Sequence, residues 1–361
     1  MKYVGILGGS GEIGKRVLNI LNTEYPVIAS YHSRQQKSKE NCKYVKLDVS
    51  DRVAVKEFCK QCDIIVNCAG ASYINGEIVA RIATELNIPY VDPSGETFLE
   101  ERISDIEGNN IFVLSSGYFP GMTGILISYI CEYFDSIQEI SGLSVSEEIP
   151  SKSAIEDFIL TNLSGFGVSL SYYDDGNIKR DERQVFEIIK NKEYRFENYL
   201  TIEVEKLAKK FGLKKANWYN CTFGKEITEK MQEAVISLKV SNDKNYCEDI
   251  INEIREIFKK NFDMNRAFTY IRIGGKGILD GKETYRNAEI SSKCSSEISA
   301  IVAAYTVKSV LQSNLDKGIY YAMDIINNEE ILKDLQKFNV DFSISEVNEQ
   351  IGDDEYEEGI L

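Results

Sequence analysis

The sequence predicts an α/β protein whose amino-terminal part is a doubly wound parallel sheet, followed by a second domain of α+β type. From residue 1 to about residue 124, short continuous apolar runs alternate with helical patterns, which is typical of a parallel sheet covered on both faces. After about residue 125 this alternation gives way to mixed strands and helices. A chain of 361 residues is long enough for two hydrophobic cores.

The amino-terminal elements follow from apolar runs and from helical periodicity. Strands are expected at Tyr3–Leu7, Val27–Tyr31, Tyr44–Leu47, Ile64–Cys68, Tyr90–Val91 and Ile111–Leu114, and helices near Ile13–Leu21, Arg52–Cys59, Glu77–Leu86 and Thr97–Ile103.

The second part is predicted by the same criteria. Its expected helices are Ile125–Phe134, Thr201–Phe211, Thr228–Leu238, Tyr246–Phe262 and Ser295–Gln312. Its expected strands are Ser141–Ser146, Gly167–Tyr173 and Gln184–Ile189, with a hairpin of Phe268–Gly274 and Lys282–Ile290. Asp280-Gly281 supplies the turn signal of that hairpin.

Composition excludes several classes of function. A net charge of −15 argues against nucleic acids and anionic membranes as partners, because both are bound through surplus Lys and Arg. No apolar run approaches the roughly 20 residues of a membrane helix. The eight cysteines are dispersed, which favours free thiols and a cytoplasmic location. The pair Cys59 and Cys62 has no ligand histidine at metal spacing, and we expect it to be structural.

A glycine-rich loop joins the first strand to the first helix. Within GILGGSGEIGKRVL, Gly9 permits a tight turn, Gly11 allows a pyrophosphate to approach the backbone, and Gly14 allows the helix to pack on the strand. The positive end of the helix dipole then faces the anion. The alternative is a turn without a ligand. The residues predicted to bind a dinucleotide here are Gly8, Gly9, Ser10, Gly11, Glu12, Ile13 and Gly14.

The end of the second strand predicts which dinucleotide is bound. NAD enzymes place an acid there for the ribose hydroxyls, whereas this chain has Ser33 and Arg34, followed by Lys37. A guanidinium can hydrogen-bond a 2′-phosphate twice, so the sequence favours NADP (NADPH); the alternative is a solvated arginine. Further cofactor contacts are expected at the ends of the third and fourth strands, from Asp48, Val49, Cys68, Ala69 and Gly70.

Four motifs in order resemble the saccharopine dehydrogenase-like NAD(P)-binding oxidoreductases. They are GGSGEIG, the segment Val66–Gly70 followed by Tyr73, the segment Tyr90–Glu96, and the segment Ser116–Gly124. The resemblance covers residues 1–125 and returns weakly near Arg272–Lys282 and in the helix Ser295–Gln312.

That resemblance implies a Rossmann domain formed by residues 1–124 and 294–361, interrupted by a substrate and dimerisation domain of residues 125–293. It also implies NAD(P)-linked hydride transfer at a C=N or C–N bond of an amino acid derivative, and a homodimer. Many members of the family carry an acid immediately before the Pro-Gly pair, where this chain has Phe119. The acid–base role of that position is therefore not carried over.

Candidate catalytic residues lie on the loops that follow the fourth to sixth strands. Tyr73 and Tyr118 are candidate proton donors, with packing over the crevice as the alternative. Asp92, Ser94 and Glu96 are candidates for binding the substrate, with helix capping as the alternative. Pro120 and Gly121 are expected to shape the backbone around the nicotinamide. In the second domain, Ser164–Gly167 and Trp218-Tyr219 are expected to line the substrate cleft, with the core or a dimer interface as the alternative for the aromatic residues.

The leading hypothesis is an NADP-dependent oxidoreductase of a C=N or C=O bond in a small amino-acid-derived metabolite. One alternative is a nucleotide-sensing regulator without turnover, because few convincing acid–base residues are evident. Another is a reductase of lipid-like or enoyl substrates. Charged cleft walls would favour the amino acid derivatives, and apolar walls would favour the lipids.

Overall fold

The structure is a computed structural model that describes residues 2–33, 36–38, 41–164, 166–240 and 244–347. Its amino-terminal elements are β1 (Val4–Leu7), α1 (Glu12–Leu21), β2 (Val27–Tyr31), β3 (Cys42–Lys46), α2 (Arg52–Cys59), β4 (Ile64–Asn67), α3 (Ser72–Glu85), β5 (Tyr90–Val91), α4 (Thr97–Ile103), β6 (Ile111–Leu114) and α5 (Met122–Tyr133). A 3₁₀ segment, Ser104–Asn109, precedes β6.

The middle of the chain contributes β7 (Ser136–Glu147), α6 (Lys152–Ser164), β8 (Gly167–Ser169), β9 (Ser171–Asp174), β10 (Asn177–Arg180), β11 (Gln184–Ile189), β12 (Lys192–Thr201), α7 (Ile202–Phe211), β13 (Lys215–Cys221), α8 (Lys225–Val240) and α9 (Lys244–Asn261). The last part contains β14 (Phe268–Leu279), β15 (Lys282–Ser292), α10 (Ser295–Gln312), β16 (Gly318–Tyr321), α11 (Ala322–Ile325), α12 (Asn328–Asp334) and β17 (Asp341–Val347).

The first sheet is parallel and doubly wound, as the sequence predicts. Within the described residues its seven strands have the order β16-β6-β5-β4-β1-β2-β3. The order reverses between β1 and β4, and ligands of such sheets bind at this point, beyond the carboxyl ends of the strands. The predicted Rossmann-like fold class is therefore confirmed.

The second sheet is mixed and carries a separate core. Its main path is β10-β9-β13-β7-β14-β15-β17, and the hairpin of β11 and β12 joins it at β13. The inner face packs against α5, α7 and α10, with Trp218 fully buried between them. This core connects the two sheets, so the second sheet is held against the first.

A group of three helices forms a satellite of the second sheet. α6, α8 and α9 enclose a small apolar core that includes Ile155, Ile159, Ile250 and Ile254. α6 also packs on α3 of the first domain, so this helical group reaches across to the parallel sheet. Among the described residues, no helix combines the length and the apolar composition needed to cross a bilayer.

The domain boundaries stay a prediction, with one difference in the carboxyl-terminal part. α10 and β16 return to the parallel sheet, whereas β17 pairs antiparallel with β15 of the second sheet. The segment 294–361 therefore does not belong to the first domain alone. β17 alternates polar and apolar residues as a one-sided strand does, and this pattern was not recognised in the sequence.

Candidate functional site

A large cleft separates the parallel sheet from the second domain. It has a volume of about 2030 Å³ and is bounded by the carboxyl ends of the first-sheet strands, by β7, β12 and β13, and by α6, α8 and α9. Several predicted site residues line it: Gly8, Ser10, Gly11, Glu12, Ile13, Ser33, Asp48, Val49, Cys68, Ala69, Gly70, Ser94, Tyr118 and Pro120. The structure thus brings together the ends of several strands that are distant in the sequence.

The glycine loop supports an open helix terminus. Gly8 has a positive φ of 71° and donates its N–H to Ser30 Oγ at 2.9 Å. A Cβ on Gly14 would lie 2.3 Å from the carbonyl oxygen of Gly8, so Gly14 and the neighbouring Gly9 pack the loop and do not line the cleft. No side chain caps α1, whose first turn therefore presents N–H groups without helical partners to the cleft.

The adenosine end of the cleft is described only in part. Arg34, the residue predicted to select NADP, lies outside the described residues. Asp48 accepts hydrogen bonds from the backbone and hydroxyl of Ser50, which lower the pKa of its carboxyl, and His32 Nε2 lies 3.6 Å from it. Ser33 lines the same end of the cleft, and neither of the described residues that follow β2 directly, His32 and Ser33, carries a carboxylate.

Asp92 is a structural carboxylate and not a cleft residue. It is fully buried, and Oδ1 accepts the backbone N–H groups of Ser94 and Gly95 at 2.9 and 2.8 Å. Oδ2 accepts the hydroxyls of Ser72, at 2.6 Å, and Tyr90. With these four donors Asp92 fixes the turn after β5 and leaves no oxygen for a substrate, which corrects the predicted binding role.

Glu96 also lies away from the cleft. It is 1% exposed, and neither carboxylate oxygen has a hydrogen-bond partner among the described residues. Burial raises the pKa of Glu96 well above its ordinary value, the charge of Glu203 raises it further, and Lys206 opposes the shift. Neither of the predicted roles, substrate binding and capping of α4 by its side chain, is therefore found at this position.

Tyr73 is directed away from the cleft. Its ring packs against Phe98 with 5.2 Å between the ring centroids, and the guanidinium of Arg102 lies 4.2 Å above it. Arg102 also donates to the backbone carbonyl of Tyr73 at 2.6 Å. This position does not support the predicted catalytic role. The sequence motif could not show it, because the spacing of the motif does not reveal on which side of α3 the ring lies.

Tyr118 lines the cleft, but its hydroxyl is directed towards the second sheet. The hydroxyl donates to the carbonyl oxygen of Tyr270 at 3.4 Å, and burial raises the pKa of Tyr118 to about 12. Its backbone N–H is bound by Ser299 Oγ at 3.1 Å. Through these contacts Tyr118 joins the loop that follows β6 (the crevice loop) to β14 and α10.

The loop that follows β6 is supported from the second domain by Glu203. Gly121 donates its N–H to Glu203 Oε1 at 3.0 Å, and Thr123 donates its hydroxyl to Oε2. Burial raises the pKa of Glu203 to about 7, against the lowering effect of these donors. Phe119, at the position where relatives carry an acid, stacks on Trp218 with 5.1 Å between the ring centroids. It is part of the core contact and has no acid–base function.

Asp157 on α6 is a cleft residue that sequence reasoning missed. Its carboxylate accepts hydrogen bonds from Ser94 Oγ and from the backbone N–H of Tyr73, which tie α6 to the ends of β4 and β5. Burial raises the pKa of Asp157 to about 7, and the nearby charges of Asp92 and Glu156 act in the same direction. The carboxyl can therefore exchange a proton near neutral pH. Asp157 was not recognised in the sequence, because it belongs to no motif and the helix that carries it, Lys152–Ser164, was not predicted.

Three cations without a carboxylate partner among the described residues also line the cleft, on β12, α6 and α9. Arg195 donates its Nε to Thr222 Oγ1 at 3.0 Å, and Arg255 donates to the carbonyl of Pro150 at 3.3 Å. Lys152, at the start of α6, is exposed. None of these cations forms an ion pair with another described residue, although the chain is strongly acidic overall.

Comparisons with known proteins agree with this architecture. A family model described as NAD dependent epimerase/dehydratase family matches residues 4–86. Saccharopine dehydrogenase (L-Glu forming) from Saccharomyces cerevisiae is similar in structure with a TM-score of 0.63 and 14% identity, covering 96% of this chain and 100% of that chain. The resemblance stated from the motifs is therefore confirmed at the level of the fold.

Other solved structures match a smaller part. Uronate dehydrogenase from Agrobacterium tumefaciens is 22% identical over 26% of this chain and 41% of that chain, with a TM-score of 0.25. A short-chain dehydrogenase/reductase from Veillonella parvula, in complex with NADP, is 11% identical over 31% of this chain and 67% of that chain, with a TM-score of 0.26. No curated protein matches the sequence.

Proposed function

We propose that this protein is an NADP-dependent oxidoreductase that transfers a hydride to or from the C=N or C=O bond of a small amino-acid-derived metabolite. One observation carries the proposal: the uncapped start of α1 opens, with Gly11, into a cleft at the reversal point of a doubly wound sheet. When bound, the dinucleotide supplies the hydride chemistry, and the protein orients the substrate and moves the proton.

The choice of NADP is supported by the residues that follow β2. Ser33 lines the cleft where NAD enzymes place a ribose-binding acid, and Arg34 is its neighbour in the sequence. Asp48, the carboxylate of this region, belongs to the loop after β3 and is occupied by Ser50. In this proposal the guanidinium of Arg34 binds the 2′-phosphate.

The proton in this proposal is carried by Asp157. The side chain lies at the cleft between α6 and the loop after β5, beside the predicted nicotinamide end, and its pKa of about 7 allows it to give or take a proton. Ser94 and the Tyr73 backbone orient the carboxyl. Arg195, which has no carboxylate partner among the described residues, is available to hold a substrate carboxylate.

The experiment compares two glycine variants in fluorescence titrations with NADPH. A Cβ on Gly11 would lie 3.2 Å from the Gly8 carbonyl oxygen and 4.0 Å from that of Cys68, so we expect Gly11→Ala to fold but to place a methyl group where the pyrophosphate approaches. We expect at least tenfold weaker NADPH binding. Gly108→Ala is the control, because a Cβ there has no neighbour within 4 Å. Equal NADPH affinity of the two variants would contradict the proposal.

The homodimer and the cytoplasmic location belong to the same proposal. Both come from the sequence and its resemblance, and size measurement of the purified protein tests the first of them.

A further inference from the structure

The outer end of the cleft is aromatic. Phe158 of α6, Phe223 after β13 and Phe258 of α9 meet edge to face, with 6.0 Å between neighbouring ring centroids. All three line the cleft together with Ile227 and Phe262. Phe158 and Phe223 nevertheless remain 43% and 40% exposed, so their mutual contacts leave a large part of both rings in the cleft.

The position of these rings connects them with the proposed reaction centre. Phe158 follows Asp157 directly in α6, and Asp157 is hydrogen-bonded to Ser94 at the end of the parallel sheet. Because Asp157, Phe158 and Phe223 all line the cleft, a substrate whose reacting carbon lies near Asp157 can place its remaining groups against Phe158 and Phe223. The aromatic surface and Asp157 therefore belong to the same cleft.

Two positively charged side chains in the cleft indicate what kind of ligand it could bind. Arg255 lies three residues before Phe258 on α9, a spacing that brings the two side chains to one face of the helix. Lys152, at the start of α6, lines the same cleft. Both cations line the cleft, and neither is paired with a carboxylate among the described residues. An apolar surface bordered by unpaired cations is complementary to an apolar group that carries an acid.

We infer that the wall formed by Phe158, Phe223 and Phe258, with Arg255 beside it on α9 and Lys152 in the same cleft, is a subsite for the apolar group of a carboxylate substrate. This inference rests on the proposed function and specifies its substrate class: an amino-acid-derived carboxylate with an aromatic or acyl substituent, as opposed to a small dicarboxylate. Burial of such a group removes the exposed faces of Phe158 and Phe223 from water.

The test measures binding of three acids to the full chain by isothermal titration calorimetry, with and without saturating NADPH. The probes are 3-phenylpropionate, octanoate and glutarate. We expect the two apolar acids to bind at least tenfold more tightly than glutarate, and the tighter of the two identifies an aromatic or an acyl substituent. Glutarate binding as tightly as both, or no binding of any acid, would overturn the inference.

The variants separate the aromatic wall from the cations. Phe223→Ala should weaken the better apolar acid about tenfold and leave glutarate unchanged, because it removes apolar contact only. Phe186→Ala is the matched control: Phe186 is 39% exposed but lies on β11, outside the cleft. Arg255→Gln should weaken all three acids. An equal effect of Phe223→Ala and Phe186→Ala would contradict the subsite.

Failure of the subsite and failure of the proposed function are distinguishable. If NADPH does not bind but Phe223-dependent binding of an apolar acid persists, the subsite stands and the oxidoreductase proposal falls. If NADPH binds and the acids do not respond to Phe223→Ala, the oxidoreductase proposal stands and the subsite falls.

Discussion

Gly121 donates its backbone N–H to Oε1 of Glu203 across 3.0 Å, although 82 residues separate them in the sequence. The bond joins the loop at the end of the parallel sheet to α7, which packs beneath the second sheet. Thr123 donates to the other oxygen, so Glu203 satisfies two donors at the start of α5. The second domain thereby positions the crevice loop.

We expect Glu203 to make stability depend on pH. Its pKa is raised from 4.5 to about 7 in the folded protein, so the folded state binds the proton more tightly than the unfolded state between these values. Stability is gained as the pH falls through 7 and lost as it rises. Glu203→Gln should lack this contribution. Between about pH 8 and about pH 5, the unfolding free energy of wild type should therefore rise by about 2.5 kcal/mol relative to that of Glu203→Gln.

Urea unfolding at both pH values measures this difference. Glu205→Gln, on the same helix but paired with Lys209 at the surface, is the control and should follow wild type. Parallel pH dependences of Glu203→Gln and wild type would show that the carboxyl does not titrate in this range.

Asp157→Asn should lower turnover without changing NADPH affinity. The amide cannot supply a proton, and loss of general acid catalysis costs on the order of 10²–10⁴ in rate. In the direction of reduction the protonated carboxyl is the active form, so kcat/KM of wild type should fall as the pH rises through about 7. Asp157→Asn should lack this limb of the profile, whereas Glu156→Gln, the neighbour on α6, should retain it. The same pH limb in Asp157→Asn would assign the proton to another group.

The sequence predicted the parallel sheet well because each of its strands is a continuous apolar run between turn signals. Val27–Tyr31, Tyr90–Val91 and Ile111–Leu114 coincide with the observed strands. The second domain was harder to predict. β12 (Lys192–Thr201) carries charged residues on its exposed side and was not recognised, and its place beside β13 depends on pairing distant in the sequence.

The site was predicted where one local motif defines it and missed where the tertiary structure assembles it. The loop from Gly8 to Ile13 opens into the cleft because a strand, a turn and a helix are contiguous. Asp92 and Glu96 follow a strand end as substrate ligands do, but both are buried away from the cleft, and the hydrogen-bonding capacity of Asp92 is used by the local turn. Asp157 belongs to no local motif. It reaches the crevice through the packing of α6 on α3, which the sequence does not reveal.

Cofactor choice is predicted to depend on Arg34. Arg34→Ala should weaken NADPH binding at least tenfold and leave NADH binding nearly unchanged, because only NADPH offers a 2′-phosphate to the guanidinium. Fluorescence titrations with both nucleotides measure the effect. Lys37→Ala is the control for loss of one positive charge from the same segment, where Lys37 is exposed. Equal weakening of both nucleotides by Arg34→Ala would refute the assignment of the 2′-phosphate.

The two tyrosines first considered as proton donors should respond differently to removal of their hydroxyls. Tyr73→Phe should leave turnover and stability near wild type, because the contacts with Phe98 and Arg102 use the ring and the backbone. Tyr118→Phe removes a buried hydroxyl that donates to Tyr270, so the free energy of unfolding should fall by about 1 kcal/mol.

Steady-state rates and urea unfolding of both variants separate these roles. If Tyr118→Phe lowers kcat by a hundredfold or more at unchanged NADPH affinity, the proton passes through the phenol, despite a pKa that burial raises to about 12, and Asp157 loses its assignment. If only stability changes, Tyr118 joins β14 to the crevice loop and the proton donor lies on α6.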